Sequence, residues 1–191
     1  MHDPALARDV HIADSLAGVP YVEGRSRIAD LGSGAGLPGL VLAGALPAAE
    51  VFCVESARKK ADWIAATAVA CGLENASAVW SRAEAWDAGL NACDAVVARA
   101  LAPLNVLLEY AAPLLREGGR AVLWKGAVAS DEAATGRAAA AHLGLSDPEV
   151  VAVVPFAGSE RRTLWVFDWV RPAPAGFPRR PGMALKRPLG A

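Results

Sequence analysis

The run Arg27-Ile-Ala-Asp-Leu-Gly-Ser-Gly-Ala-Gly-Leu-Pro-Gly39 constrains this chain more than any other stretch. Ile28 to Leu31 suits a short buried strand. An acid, Asp30, stands near its end, and Gly32, Gly34 and Gly36 then supply a tight turn whose backbone can approach a ligand closely. Pro38 fits the first turn of a following helix, because its φ is already helical and its missing N–H would have had no partner there. Leu40, Val41, Leu42, Ala43 and Leu46 give that helix a buried face, and Pro47 stops it. Strand, glycine turn and helix together make a nucleotide-binding unit.

Spacing decides which nucleotide. The dinucleotide pattern G-x-G-x-x-G requires a third glycine at position 37, which is Leu. The glycines follow G-x-G-x-G instead, with Asp30 two residues ahead of the first, and this form resembles motif I of the class I methyltransferases that use S-adenosylmethionine (SAM). Glu55 ends the next apolar run, Val51-Phe-Cys-Val54, where an acid accepts hydrogen bonds from both ribose hydroxyls.

The 191 residues fit one domain with a substantial core. No apolar segment reaches the roughly 18 residues of a membrane span, and the N-terminus has no signal-peptide core, so a cytoplasmic protein is expected. Cys53, Cys71 and Cys93 sit in apolar contexts, do not form C-x-x-C and do not cluster with His2, His11 or His142. They read as small buried hydrophobes, without metal or disulfide. The net charge of −1 is uneven: five of the 19 basic residues and none of the 20 acidic ones fall in 171–191, leaving −6 elsewhere. A basic, Pro-rich tail on an acidic body suits docking onto RNA or a solubilising arm, and composition leaves both open.

Along the chain, 57–72 is helical, with Trp63, Ile64, Thr67 and Cys71 at helical spacing, Arg58-Lys59-Lys60 solvated and Gly72 at the C-terminal cap. Strands follow at 77–80, 94–98 and 121–124, with a helix at 104–115 between the last two. After an Ala-rich helix at 132–143, strands at 150–155 and 163–170 lie too close in sequence for a crossover helix, which predicts a closing antiparallel hairpin with 158–162 at its tip. The expectation is an α/β, Rossmann-like class I methyltransferase fold: a mostly parallel seven-stranded sheet, an antiparallel last strand, and helices on both faces. Residues 1–170 form the domain, with a helical lead-in at 1–18, and 171–191 form the tail.

The segments His11-Ile-Ala-Asp-Ser-Leu16, Asp30 to Gly39, Ser56-Ala-Arg-Lys-Lys60, Ser81-Arg-Ala-Glu84, Ala98-Arg-Ala-Leu-Ala-Pro-Leu104, Lys125-Gly126 and Glu160-Arg-Arg162 occur in an order that resembles the RsmG (GidB) family. The resemblance implies an enzyme that transfers a methyl group from SAM to N7 of one guanine in 16S rRNA, guanine 527 of the 530 loop, releasing S-adenosylhomocysteine (SAH). By the same resemblance Gly32 and Leu37 line the SAM site, Ala83 and Glu84 meet the adenine end, and Arg99 stands at the pocket beside the substrate entrance. With Asp30, placed to hold the methionine ammonium directly or through water, and with Gly34, Gly36 and Glu55, these make the expected cofactor set. Family members carry a longer helical N-terminus and a basic residue before the histidine, where this chain has Val10; Arg8 is the substitute.

Guanine N7 bears a lone pair and no proton, so its methylation requires alignment rather than a general base. Arg99 and Lys125 are the positioning candidates, although Lys125 also reads as a strand-end charge, and Asp14-Ser15 as either a polar helix turn or a group near the cofactor. Arg82, Arg161, Arg162, Arg179, Arg180, Lys186 and Arg187 are the RNA-binding candidates. The expected partner is 16S rRNA or the small ribosomal subunit, met by a metal-free monomer with no membrane attachment. A small-molecule methyltransferase and a non-catalytic SAM-binding module are the alternatives on the same fold.

Overall fold

The computed structural model describes residues 8–190; residues 1–7, where the expected lead-in begins, and the side chains of Arg8 and Asp9 lie outside the described residues. One sheet organises the molecule. Its strands are β1 (Arg27–Leu31), β2 (Glu50–Glu55), β3 (Ala76–Trp80), β4 (Cys93–Arg99), β5 (Leu115–Lys125), β6 (Glu149–Val153) and β7 (Arg162–Asp168), in the order β3-β2-β1-β4-β5-β7-β6. Neighbours are parallel from β3 to β5, and β7 runs antiparallel to both β5 and β6. The helices are α1 (Asp14–Leu16), α2 (Val19–Val22), α3 (Gly39–Ala45), α4 (Arg58–Ala70), α5 (Leu104–Ala111), α6 (Ser130–Leu143) and α7 (Met183–Lys186).

Strand alternation sends side chains into two apolar layers, one on each face. Ala29, Leu31, Val96, Ala98, Ala121, Leu123, Trp165 and Phe167 pack with α5 and α6. Ile28, Val51, Cys53, Ala95, Val97, Val122, Trp124, Leu164 and Val166 form the layer shared with α2, α3 and α4 on the other face. The closing hairpin forms as expected, but its second strand inserts inside the sheet and its first becomes the edge. Composition explains this. Leu164 to Phe167 are four consecutive buried residues suited to an interior strand, whereas β6 has Glu149, Val150 and Ala152 exposed and tolerates an edge.

Three expectations are corrected. In α4 the buried residues are Ala61, Ile64 and Ala68, so only Ile64 of the anticipated stripe faces the core. Trp63 is 61% exposed and Cys71 is exposed, unlike buried Cys53 and Cys93. Gly72 does cap the helix, at φ +66, with its N–H bonded to Val69 O and that of Leu73 to Ala68 O. The tail, finally, is docked. Ala184 is 1% exposed within the core, Phe177 and Leu189 pack against that core, and the Asn105 side chain donates to Leu189 O at 2.7 Å.

Candidate functional site

The order of strands reverses direction between β1 and β4, and at such a switch point the connecting helices leave to opposite faces and open a crevice beyond the carboxyl ends. The glycine turn fills one side of it. Gly32 and Ser33 donate their N–H groups to Val54 O at 2.9 and 3.3 Å, and Gly34 donates to Glu55 Oε2 at 3.0 Å, so the turn is clamped to the end of β2. Glu55 Oε1 accepts from Ala57 N at 2.8 Å. Gly32 and Gly34 have φ of +63 and +60, a region that only glycine enters cheaply. A side chain at Gly34 would meet nothing closer than Gly32 O at 3.8 Å and would project into open space beside the turn.

A cavity of about 580 Å³ lies against this turn, lined by His11, Gly32, Ser33, Gly34, Leu37, Glu55, Lys60 and Arg99 among others. A narrower one of about 130 Å³ continues past β3, lined by Val54, Arg82, Ala83, Glu84, Tyr110 and Leu185. Gly32, Ser56 and Leu101 border both, so the two are compartments of one cleft. The larger has the size usual for small-molecule sites. Between Arg99 and Leu101, Ala100 is held at φ +55, a strained setting for a residue with a Cβ that fixes where its neighbours point.

Of the residues expected at the cofactor, Gly32, Gly34, Leu37, Glu55, Ala83, Glu84 and Arg99 come together along this cleft. Asp30 and Gly36 do not line it. A Cβ at Gly36 would strike Leu40, so that glycine exists to seat α3. Asp30 is fully buried; its Oδ2 accepts from Gly39 N at 2.9 Å and its Oδ1 has no partner among the described residues. Desolvation pushes its pKa up to about 7, against the lowering effect of the Gly39 and Ser33 hydrogen bonds and the Arg99 charge.

Arg99 is fixed from behind. Its Nη1 donates to Asp14 Oδ2 at 2.9 Å, and Asp14 is only 1% exposed. Arg162 Nε lies 3.7 Å from the other Asp14 oxygen, and Trp124 Nε1 donates to the Asp14 carbonyl at 2.8 Å. Arg162 is therefore part-buried and turned toward Asp14, a correction to its expected place on an exposed tip, whereas Arg161 is exposed. Lys125 pairs with Glu132 at 2.6 Å and donates to Ala102 O at 3.3 Å, which ties down the loop after Arg99. Arg179 is also not free: its Nε donates to Glu109 Oε1 at 2.6 Å, its Nη2 bonds the second oxygen, and Glu109 is 1% exposed. Arg82, Arg180, Lys186 and Arg187 remain exposed. Sequence reasoning missed Lys60, Leu101, Tyr110 and Leu185; the first two lie within recognised motifs but were given no role, and the others come from a helix and a tail with no local signature.

A mostly parallel sheet with β7 reversed and a glycine turn at its switch point define a SAM-dependent methyltransferase of class I. Solved structures agree on the fold: the SAM-dependent methyltransferase SibL superimposes with a TM-score of 0.69 at 17% identity, covering 83% of this chain and 55% of that one. Geranyl diphosphate methyltransferase gives 0.68 at 15% identity over 83% and 85%. The chain itself belongs to the rRNA small subunit methyltransferase G family, whose model matches residues 3–163. The ribosomal RNA small subunit methyltransferases G of Rubrobacter xylanophilus and Syntrophomonas wolfei are 41% and 39% identical to it over 94% of this chain, and it covers 72% and 85% of theirs.

SAM is accordingly the cofactor, and the cleft fits it. The open ground beside Gly34 admits a close backbone approach, Glu55 retains acceptor lone pairs beyond those its two amide donors use, and the narrow compartment is walled mainly by apolar groups. No described helix is long and apolar enough to cross a membrane, and no metal-binding group of three or more His, Cys, Asp or Glu occurs among the described residues.

Proposed function

We propose that this chain methylates N7 of a guanine in 16S rRNA, as a cytoplasmic monomer acting on the RNA or on the small subunit. The observation that carries the reading is the cleft's polarity. Lys60 and Arg82 line the cleft as exposed cations, beside Arg99, whose charge Asp14 balances, and the acids Glu55 and Glu84, whose carboxylates are engaged by backbone N–H groups. Two exposed cations at the cleft offer a phosphate backbone a place to dock. Ordered motifs and named relatives point to the same substrate.

SAM supplies an electrophilic methyl group on its sulfonium. The glycine turn and Glu55 would hold the ribose, Ala83 and Glu84 the adenine end, and Leu37 and Leu101 would exclude water. Arg99, pinned by Asp14, would border the side from which the target base enters. N7 offers a lone pair and no proton, so what these residues contribute is alignment of base and methyl group. The N7 edge is hidden in the narrow major groove of duplex RNA, so the guanine must arrive from a loop.

Incubation with labelled SAM and small subunits lacking the modification should place label on one guanine of 16S rRNA, mapped by primer extension after N7-specific cleavage. Absence of label from both the subunits and naked 16S rRNA would overturn the reading.

A further inference from the structure

The tail beyond residue 170 reaches the cleft. After Arg179 has formed its two-pronged contact with buried Glu109, the chain turns at Gly182, at φ +82, and the Gly182 N–H donates to Glu84 Oε1 at 2.9 Å. Ala184 then enters the core and Leu185 lines the narrow compartment together with Val54, Ala83 and Leu101. Leu185 is 59% exposed and Leu101 is 40% exposed, two large apolar side chains left open along one narrow compartment. A planar heteroaromatic ring entering that compartment would cover apolar surface on both leucines, and the compartment's acid is Glu84, one of whose oxygens is already occupied by the tail.

We infer that the C-terminal segment is a working part of the cofactor site: Leu185 closes the narrow compartment over the adenine ring, and the Gly182 N–H orients Glu84 toward it. The inference rests on SAM occupying this cleft. It assigns the tail a role distinct from RNA docking, and it predicts that cofactor binding and tail docking stabilise one another, since each completes a surface the other uses.

The test is calorimetric binding of SAH, and separately of adenosine, to the full chain. Leu185→Ala, at a half-exposed position, should fold with unchanged thermal stability yet weaken both ligands by about five- to tenfold, a loss expected from forfeiting partial burial of one leucine. Arg179→Met, which frees the tail from Glu109, should weaken them at least as much. Because that variant leaves Glu109 unpaired, hydrogen exchange on the unaltered protein supplies a second reading: SAH should slow amide exchange across 179–187. Wild-type affinity in Leu185→Ala together with unchanged exchange in the tail would overturn the inference while leaving the cofactor assignment standing. Failure of the unaltered protein to bind SAH would overturn both.

Discussion

Asp30 shows how one buried side chain can link the glycine turn to pH. Its carboxylate points away from the cleft because Gly39 leaves room for it: a Cβ at Gly39 would lie 2.8 Å from Asp30 Oδ2 and 2.5 Å from Cys53 Sγ. The group's pKa is raised in the folded chain, to about 7, and ordinary when unfolded. Between about pH 4 and 7 the folded state therefore holds a proton that the unfolded state has lost. The stabilisation is fully present below the unfolded pKa and disappears as pH rises through 7. A shift from 3.8 to about 7 corresponds to at most about 4 kcal/mol. Urea unfolding of the protein should thus show falling stability from pH 5 to pH 8, and Asp30→Asn, neutral throughout, should flatten that slope; an unchanged slope in the variant would place the titration elsewhere. The sequence placed Asp30 at the end of a strand beside a ligand turn, and that was legible. Its inward direction was not, because the space that receives it is made by a glycine nine residues later.

At the scale of elements, what could be read depended on whether the signal was local. Strand identities and the Gly72 cap follow from short apolar runs and one left-handed glycine. The buried face of α4 does not, since alanines at 61 and 68 carry less apolar weight than Trp63, yet with Ile64 they form the face that lies against the sheet. Long-range pairing was equally hidden. Asp14 belongs to a three-residue helix with no evident reason to be buried until Arg99 from β4 and Arg162 from β7 converge on it. This carboxylate joins the N-terminal segment to the cleft, which gives a clear expectation for Asp14→Asn. Two arginines would lose their shared counter-charge and the segment its anchor, costing about 2 kcal/mol of stability because both arginines retain some solvent. Released from Asp14, Arg99 should also raise the KM for SAM more than it lowers kcat. Equal stability of variant and parent in urea would show that the segment is held by Trp124 and backbone contacts instead.

Over the whole molecule, the fold class was legible because β-α alternation with one terminal hairpin leaves few topologies once right-handed crossovers are imposed. The division into domain and tail was less so, since a Pro-rich basic stretch reads as a loose arm until Ala184 and Arg179 are seen to be embedded. Docking sorts the tail's charges into two kinds. Arg179 is neutralised by Glu109, whereas Arg180, Lys186 and Arg187 face solvent. Only the second kind can release counterions from an RNA backbone, and each phosphate contact contributes roughly 0.7 to 0.9 to the slope of log affinity against log salt. Replacing Arg180, Lys186 and Arg187 together by Gln should therefore lower the magnitude of the slope for 16S rRNA by about 2 while leaving SAH affinity intact. Arg179→Gln should barely change the slope but should destabilise the fold and weaken SAH. Filter binding across a salt series separates these outcomes. If the triple variant keeps the parent slope, the RNA face lies instead around Arg82 and Arg161, at the rim of the cleft and on the β6–β7 connection, and the tail serves the cofactor alone.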